Sequence, residues 1–220
     1  MAKLESTKNK ILRVSTTMFL EVGYSKTSPQ MIAKELKVST GNLTYYYPTK
    51  EHLLAVLTDL LCKYQWKMIK DVAEDGISSL LSICLELMTM AAACEESEVA
   101  KDFFVSTYQS PKCLEIIHNN DTARAKEVFA EYCPDWTDEQ FREAEILVAG
   151  IEYATLNAID ITVPLETRIS GALNAIMMIY NVPEEIRRIK IDKVLAMDYC
   201  SIGKRIFNEF KEYVEKENAF

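Results

Sequence analysis

Apolar residues recur along this chain at spacings of three and four, and no stretch sustains the alternation of a strand. The pattern predicts helices from end to end. Ile11, Leu12, Ser15, Met18, Phe19 and Val22 draw a buried stripe on a first helix from about Thr7 to Val22, and Gly23 ends it. Ser28-Pro29 opens a second, short helix, with the serine as cap and the proline in a first turn that needs no amide. Ile32, Ala33 and Leu36 form its inner face. Lys37-Val38 then turns the chain, Ser39 caps a third helix, Pro48 stops it, and Thr49 caps a fourth that runs to about Asp71. Leu53, Leu54, Leu57 and Leu61 mark the buried side of that fourth helix. From Gly76 onward, breaks at Glu95 to Ser97, Ser110-Pro111, Asn119 to Asp121, Cys133-Pro134, Val163-Pro164, Val182-Pro183 and near Gly203 divide the remainder into about seven helices. The fold class is all-α.

The third helix is unlike a core element. Leu43 and Tyr47, four residues apart, share one face and anchor it, while Thr40, Asn42, Tyr45 and Tyr46 point elsewhere. Two short helices joined by so brief a turn make a helix-turn-helix, in which the first crosses a phosphate backbone and the second enters a major groove.

Charge agrees with this reading. The chain carries a net charge of -8, but its first 70 residues hold eleven Lys and Arg against five Asp and Glu, a net +6, which leaves -14 on the rest. A basic module joined to an acidic body is a nucleic-acid-binding pattern. The six cysteines, at 62, 84, 94, 113, 133 and 200, include no C-x-x-C pair, and His52 and His118 stand alone. Buried free thiols and no metal site are expected. No apolar run is long enough to cross a bilayer, since Glu86 interrupts the best candidate, Ser79 to Cys94. The charged start at Met1 to Glu5 is unlike a signal peptide, so a cytoplasmic protein without a membrane partner is expected.

Taken together, Ile11-Leu12, Met18-Phe19, Gly23-Tyr24, Thr27, Ile32-Ala33, Val38-Ser39-x-Gly41-x-Leu43-x-Tyr45-x-Tyr47 and Lys50-Glu51-x-Leu53-Leu54 resemble the DNA-binding region of the TetR family of bacterial regulators. The resemblance covers roughly residues 7 to 60 over three helices and their turns, which makes it specific. It implies an N-terminal three-helix helix-turn-helix domain, residues 1–50, running into a connecting helix, and a larger helical ligand-binding and dimerisation domain, residues 51–220. It also implies a homodimer that reads a roughly palindromic operator in double-stranded DNA and releases it when a small molecule binds. The family's DNA-touching positions fall on Thr27, Ser28, Gln30, Thr40, Gly41, Asn42, Thr44, Tyr45, Tyr46 and Lys50. Hydroxyls, helix-start amides and the Lys50 ammonium suit phosphate oxygens, and Thr40 or Asn42 suits base edges. Two positions depart from the family pattern. Thr44 replaces a usual tyrosine, and Lys37 replaces a usual glycine at a cost of about 1 kcal/mol if the backbone there is left-handed.

In the acidic body, Thr137 to Gln140 form a capping box before a helix that is apolar on nearly every side from Ile146 to Ile161, with Gly150, Ala154 and Ala158 on one stripe. After Pro164 the theme repeats, with Gly171, Ala172 and Ala175. Such helices are either the core of one subunit or half of a four-helix bundle between two, and the resemblance favours the dimer interface. Met88, Phe103, Phe104, Tyr108, Glu152, Tyr153 and Asn157 are candidate effector contacts, each also an ordinary core residue by type. Glu152, inside an apolar helix, needs a partner such as a cationic effector or Arg168.

A ligand-responsive transcriptional regulator, read as a repressor, is thus the leading reading. The alternative is a helical ligand-binding or partner-binding protein of the same fold without specific DNA binding. An enzyme is disfavoured because no phosphate loop, metal cluster or nucleophile motif appears, and no cofactor is implied.

Overall fold

A computed structural model describes residues 6–74, 78–158 and 162–217. These residues form eleven helices: α1 (Thr7–Glu21), α2 (Pro29–Leu36), α3 (Thr40–Tyr46), α4 (Lys50–Glu74), α5 (Ser79–Glu96), α6 (Glu98–Gln109), α7 (Pro111–Val128), α8 (Asp138–Leu156), α9 (Leu165–Ile179), α10 (Glu184–Leu195) and α11 (Tyr199–Glu217). The chain is all-α, with no strand among the described residues. No helix among them is long and apolar enough to cross a membrane.

Local signals set most boundaries. Ser28 accepts from the Met31 amide at 3.2 Å and Ser39 from the Asn42 amide at 3.1 Å, each satisfying a donor that the first turn leaves free. Lys37 holds φ 55° and ψ 40°, the left-handed cap that α2 needs in order to turn into α3. The capping box at α8 is complete, with Thr137 and Gln140 exchanging side-chain and backbone bonds.

Two expected breaks are absent, each for a tertiary reason. Helix α7 runs through Asn119 to Asp121 because their side chains have partners: Asn120 accepts from the Trp66 indole at 2.7 Å and Asp121 pairs with Arg124 at 3.2 Å. Gly203 lies inside α11 because a Cβ there would meet the Thr89 carbonyl of α5 at 2.9 Å, so this glycine permits close approach of two helices. Helix α8 stops at Leu156, short of the expected Ile161, and residues 159–161 lie outside the described part.

Helix α5 is the central post of the body and packs against α4, α6, α8, α9, α10 and α11. One continuous apolar cluster runs from Ile11 of α1 to Val214 of α11, so head and body share a core. Ile11, Phe19, Ile32 and Leu43 are its fully buried contribution from the head, at about 1.5–3 kcal/mol each relative to exposure. They fix the direction in which α3 points.

Candidate nucleic-acid interface and buried chamber

Leu43 and Tyr47 plug α3 into the core, and the opposite side of the helix faces solvent. Tyr45 is 81% exposed and meets Tyr46 edge-on, with ring centroids 5.1 Å apart. Gly41, Asn42 and Thr44 are exposed beside them, and Thr40 is half-buried. The Thr44 hydroxyl donates to the Gly41 carbonyl at 3.2 Å, so this short side chain folds onto its own helix where a tyrosine would reach out. Gln30 is exposed at the start of α2, next to the half-buried Ser28 cap. An amide, hydroxyls and two aromatic rings thus converge on one convex surface and can bond phosphates and base edges.

Two expected contact residues are committed elsewhere. The Thr27 side chain is buried, and its hydroxyl donates to the Gly23 carbonyl at 2.7 Å. The Lys50 ammonium donates to the carbonyls of Tyr24 at 2.8 Å and Thr27 at 3.0 Å, and sits 4.0 Å from the Tyr24 ring centroid. Burial lowers the Lys50 pKa, with Asp102 opposing the shift. Lys50 fastens the first turn of α4 to the α1–α2 connection rather than reaching outward.

The same connection is tied to the body. Asp102 of α6 accepts from the Ser25 amide at 2.8 Å and from the Ser25 hydroxyl. Gly23 makes room for it: at φ 104° its added Cβ would lie 2.8 Å from Asp102 Oδ2. One helix further on, the Ser110 cap of α7 donates to Glu51 of α4 at 2.6 Å.

Inside the body, α5, α7, α8 and α9 surround a chamber walled by Glu86, Asp121, Arg124, Glu145, Glu152 and Tyr180 among apolar neighbours. Its cavity volume is about 40 Å³. Arg124 binds Glu86 and, at 3.2 Å, Asp121, and Gln65 donates to Glu86 at 2.6 Å. Glu145 receives the Tyr180 hydroxyl, and Glu152 receives that of Tyr108 at 2.8 Å. Burial, then the charge of Asp121, raises Glu145 to about 7 and Glu152 well above the usual carboxylate range. Burial alone would lower Arg124, but Glu86 and Asp121 outweigh it and hold the guanidinium charged. A second cavity of about 30 Å³ adjoins at Glu86 and Met90, and its wall includes Tyr64, Phe104, Phe207 and Phe210.

Residues 11–57, the span of α1 through the first turns of α4, match the family model for bacterial regulatory proteins of the tetR family. Over this N-terminal stretch the chain is similar to the tetR family of bacterial regulatory proteins. It is 28% identical over 113 residues to the HTH-type transcriptional regulator HbdR of Aromatoleum sp. (strain CIB), covering 50% of this chain and 47% of that protein. It is 39% identical over 68 residues to the HTH-type transcriptional regulator YuxN of Bacillus subtilis (strain 168), covering 31% of this chain and 23% of YuxN. The matches thus span less than half the length of these curated relatives. The fold is that of Thermus thermophilus FadR, a TetR family transcriptional repressor solved with lauroyl-CoA, at TM-score 0.58 and 18% identity over 80% of this chain and 96% of FadR.

The expected effector residues divide. Phe104 and Glu152 line the chambers, and Tyr108 supports Glu152. Met88 and Phe103 are fully buried on the core side of their helices and line neither chamber. Tyr153 and Asn157 bond each other at 3.0 Å near the end of α8, away from both. Arg168 pairs with Glu95, leaving Glu152 to Tyr108. Sequence reasoning missed Glu86, Asp121, Arg124, Glu145 and Tyr180. A usable signal was Glu145, seven residues before Glu152 and therefore on the same face of α8.

The expectation that α8 is buried on all sides does not hold within one subunit. Ile146 is 59% and Leu147 56% exposed, Gly150 and Ala154 are exposed beside them, and Ala158 lies past the helix end. Across from this face α9 presents exposed Gly171, half-buried Ala175 and 55% exposed Met178, whereas Ala172 turns into the subunit's own core. A Cβ added to Gly150 or Gly171 would meet nothing within 4 Å.

Proposed function

We propose that this chain is a homodimeric transcriptional regulator, a repressor that leaves a palindromic operator when a small molecule enters its helical body. The observation that carries the reading is the outward surface of α3, where Tyr45 stands 81% exposed on a helix whose other face is locked into the core. The regulators HbdR and YuxN, matched over the N-terminal part, support it. Ser28, Gln30, Thr40, Gly41, Asn42, Thr44, Tyr45 and Tyr46 form the DNA surface. In this reading Thr27 and Lys50 act by shaping the α1–α2 connection. The exposed apolar face of α8 and α9 supports dimerisation, since apolar patches of that kind on a single subunit mark interaction sites. Two-fold symmetry of the dimer then dictates two-fold symmetry of the operator.

Helix α6 is the transmission element. It carries Phe104 in a chamber wall, Tyr108 on Glu152 and Asp102 on the α1–α2 connection. A ligand that prefers one position of α6 thereby biases the spacing of the two α3 helices. No step requires bond chemistry, and the reading is non-enzymatic.

Gel shift with DNA from the chain's own upstream region is the direct experiment. A specific complex that weakens steeply with salt is expected. Absence of any specific complex would favour instead a ligand-binding protein of the same fold, a reading that the inward commitment of Thr27 and Lys50 supports.

A further inference from the structure

We infer that the chamber between α5, α7, α8 and α9 is a binding site for an organic cation that carries an apolar body. The inference rests on the body being the effector-binding half. Four carboxyl groups, Glu86, Asp121, Glu145 and Glu152, face this chamber with one guanidinium, Arg124. Arg124 is spent on Glu86 and Asp121. Glu145 and Glu152 each receive a neutral hydroxyl, from Tyr180 and Tyr108, and no ion-pair partner among the described residues. Glu145 and Glu152 are thus left with hydroxyl partners alone, and two buried carboxyl groups lack the charged partner that would let them ionise. A positively charged guest supplies it.

A second observation points to a guest independently of the carboxyl groups. The Arg124 side chain is 6% exposed, yet its Nε has no hydrogen-bond partner. A buried donor left unmade in a chamber wall is a place for an acceptor oxygen on the ligand. Apolar neighbours for the body lie in the adjoining cavity of about 30 Å³, which shares Glu86 and Met90 with the acidic one and is lined by Tyr64, Phe104, Phe207 and Phe210, so its walls have to part. The acidic cavity is only about 40 Å³, so a guest larger than a few waters has to part its walls too. Occupancy is thereby coupled to helix position.

The experiment compares three compounds with one body and three charges, 4-phenoxybutylamine, 4-phenoxybutanol and 4-phenoxybutyrate, whose shared ether oxygen is an acceptor for the Arg124 Nε, by calorimetric titration into the full chain. The amine is expected to bind at least about tenfold more tightly than the alcohol, and the carboxylate most weakly, because charged hydrogen bonds carry that much discrimination. In Glu145→Gln and Glu152→Gln the preference should shrink, and in the double variant it should vanish while circular dichroism stays helical. Equal binding of amine and alcohol, tightest binding of the carboxylate or of lauroyl-CoA, no amine binding at low-millimolar concentration, or a preference that survives the double substitution would each overturn the inference. If a variant fails to fold, the three-compound series on the wild-type protein still decides. Gel shift separates the two proposals: specific DNA binding without amine preference sinks only the cation, and amine preference without DNA binding sinks only the regulator.

Discussion

The head and the body of this protein place polar groups in opposite ways. In the head, α1 to α3 bury Ile11, Phe19, Ile32 and Leu43 and turn amides, hydroxyls and Tyr45 outward. In the body, Glu86, Asp121, Arg124, Glu145 and Glu152 ring an interior chamber, while Ile146, Leu147 and Met178 face out. The head follows the ordinary rule of burial and the body inverts it twice. The two inversions carry the two proposals: the interior carboxyl groups support a cationic guest, and the outward apolar face supports a second subunit.

The sharpest way to break the comparison is to remove the guanidinium of the chamber. Arg124→Met leaves Glu86 and Asp121 without their cationic partner, and a loss of about 4 kcal/mol is expected in denaturant unfolding, with melting lowered by roughly 10 °C. Little change would mean that the carboxyl groups are protonated and the cluster is not ionic.

Next in size is the pH dependence of Glu145. The folded protein holds its proton up to about 7, against an ordinary value of 4.5 in the unfolded chain. The native state therefore binds the extra proton between those values, and stability falls as pH rises across that window, by about 3 kcal/mol at most from this group. Glu145→Gln should flatten the profile between pH 4.5 and 7 in a series of melting curves.

The outward inversion is tested by Leu147→Glu. It should convert a dimer to monomers by light scattering and lower operator affinity about a hundredfold, because two half-sites are no longer held together. An unchanged dimer would move the interface away from α8 and α9. The smallest effect belongs to the head. Tyr45→Ala should weaken operator binding about tenfold with dimer and melting temperature unchanged, since the ring touches little of its own subunit.

The same contrast explains what the sequence reveals. The head is written in local signals: serine caps at 28 and 39, Pro48 as a stop, and a left-handed residue at 37. These act over three or four residues, and the structure keeps each of them. The match to the tetR family model lies in that same stretch. The chamber is written in long-range signals. Glu86, Arg124 and Glu145 come from three helices and meet only after folding, and Glu86 by itself reads as a mere interruption of an apolar run. Asn119 to Asp121 and Gly203 mislead for the same reason, because packing reassigns residues whose local preference is to break a helix. Solvent exposure of α8 is equally invisible along the chain, where an apolar residue looks the same whether it faces a core or a partner.

The Gly23–Asp102 contact bears on modular exchange. A side chain at 23 has neither the backbone freedom nor the space, and the carboxylate that fills that space belongs to α6 of the body. A chimera that transplants this head onto another body inherits half of a lock. It should respond to the new body's ligand only when the graft also carries a carboxylate at the position equivalent to Asp102, so domain swaps here are best cut to include α6 with the head it serves.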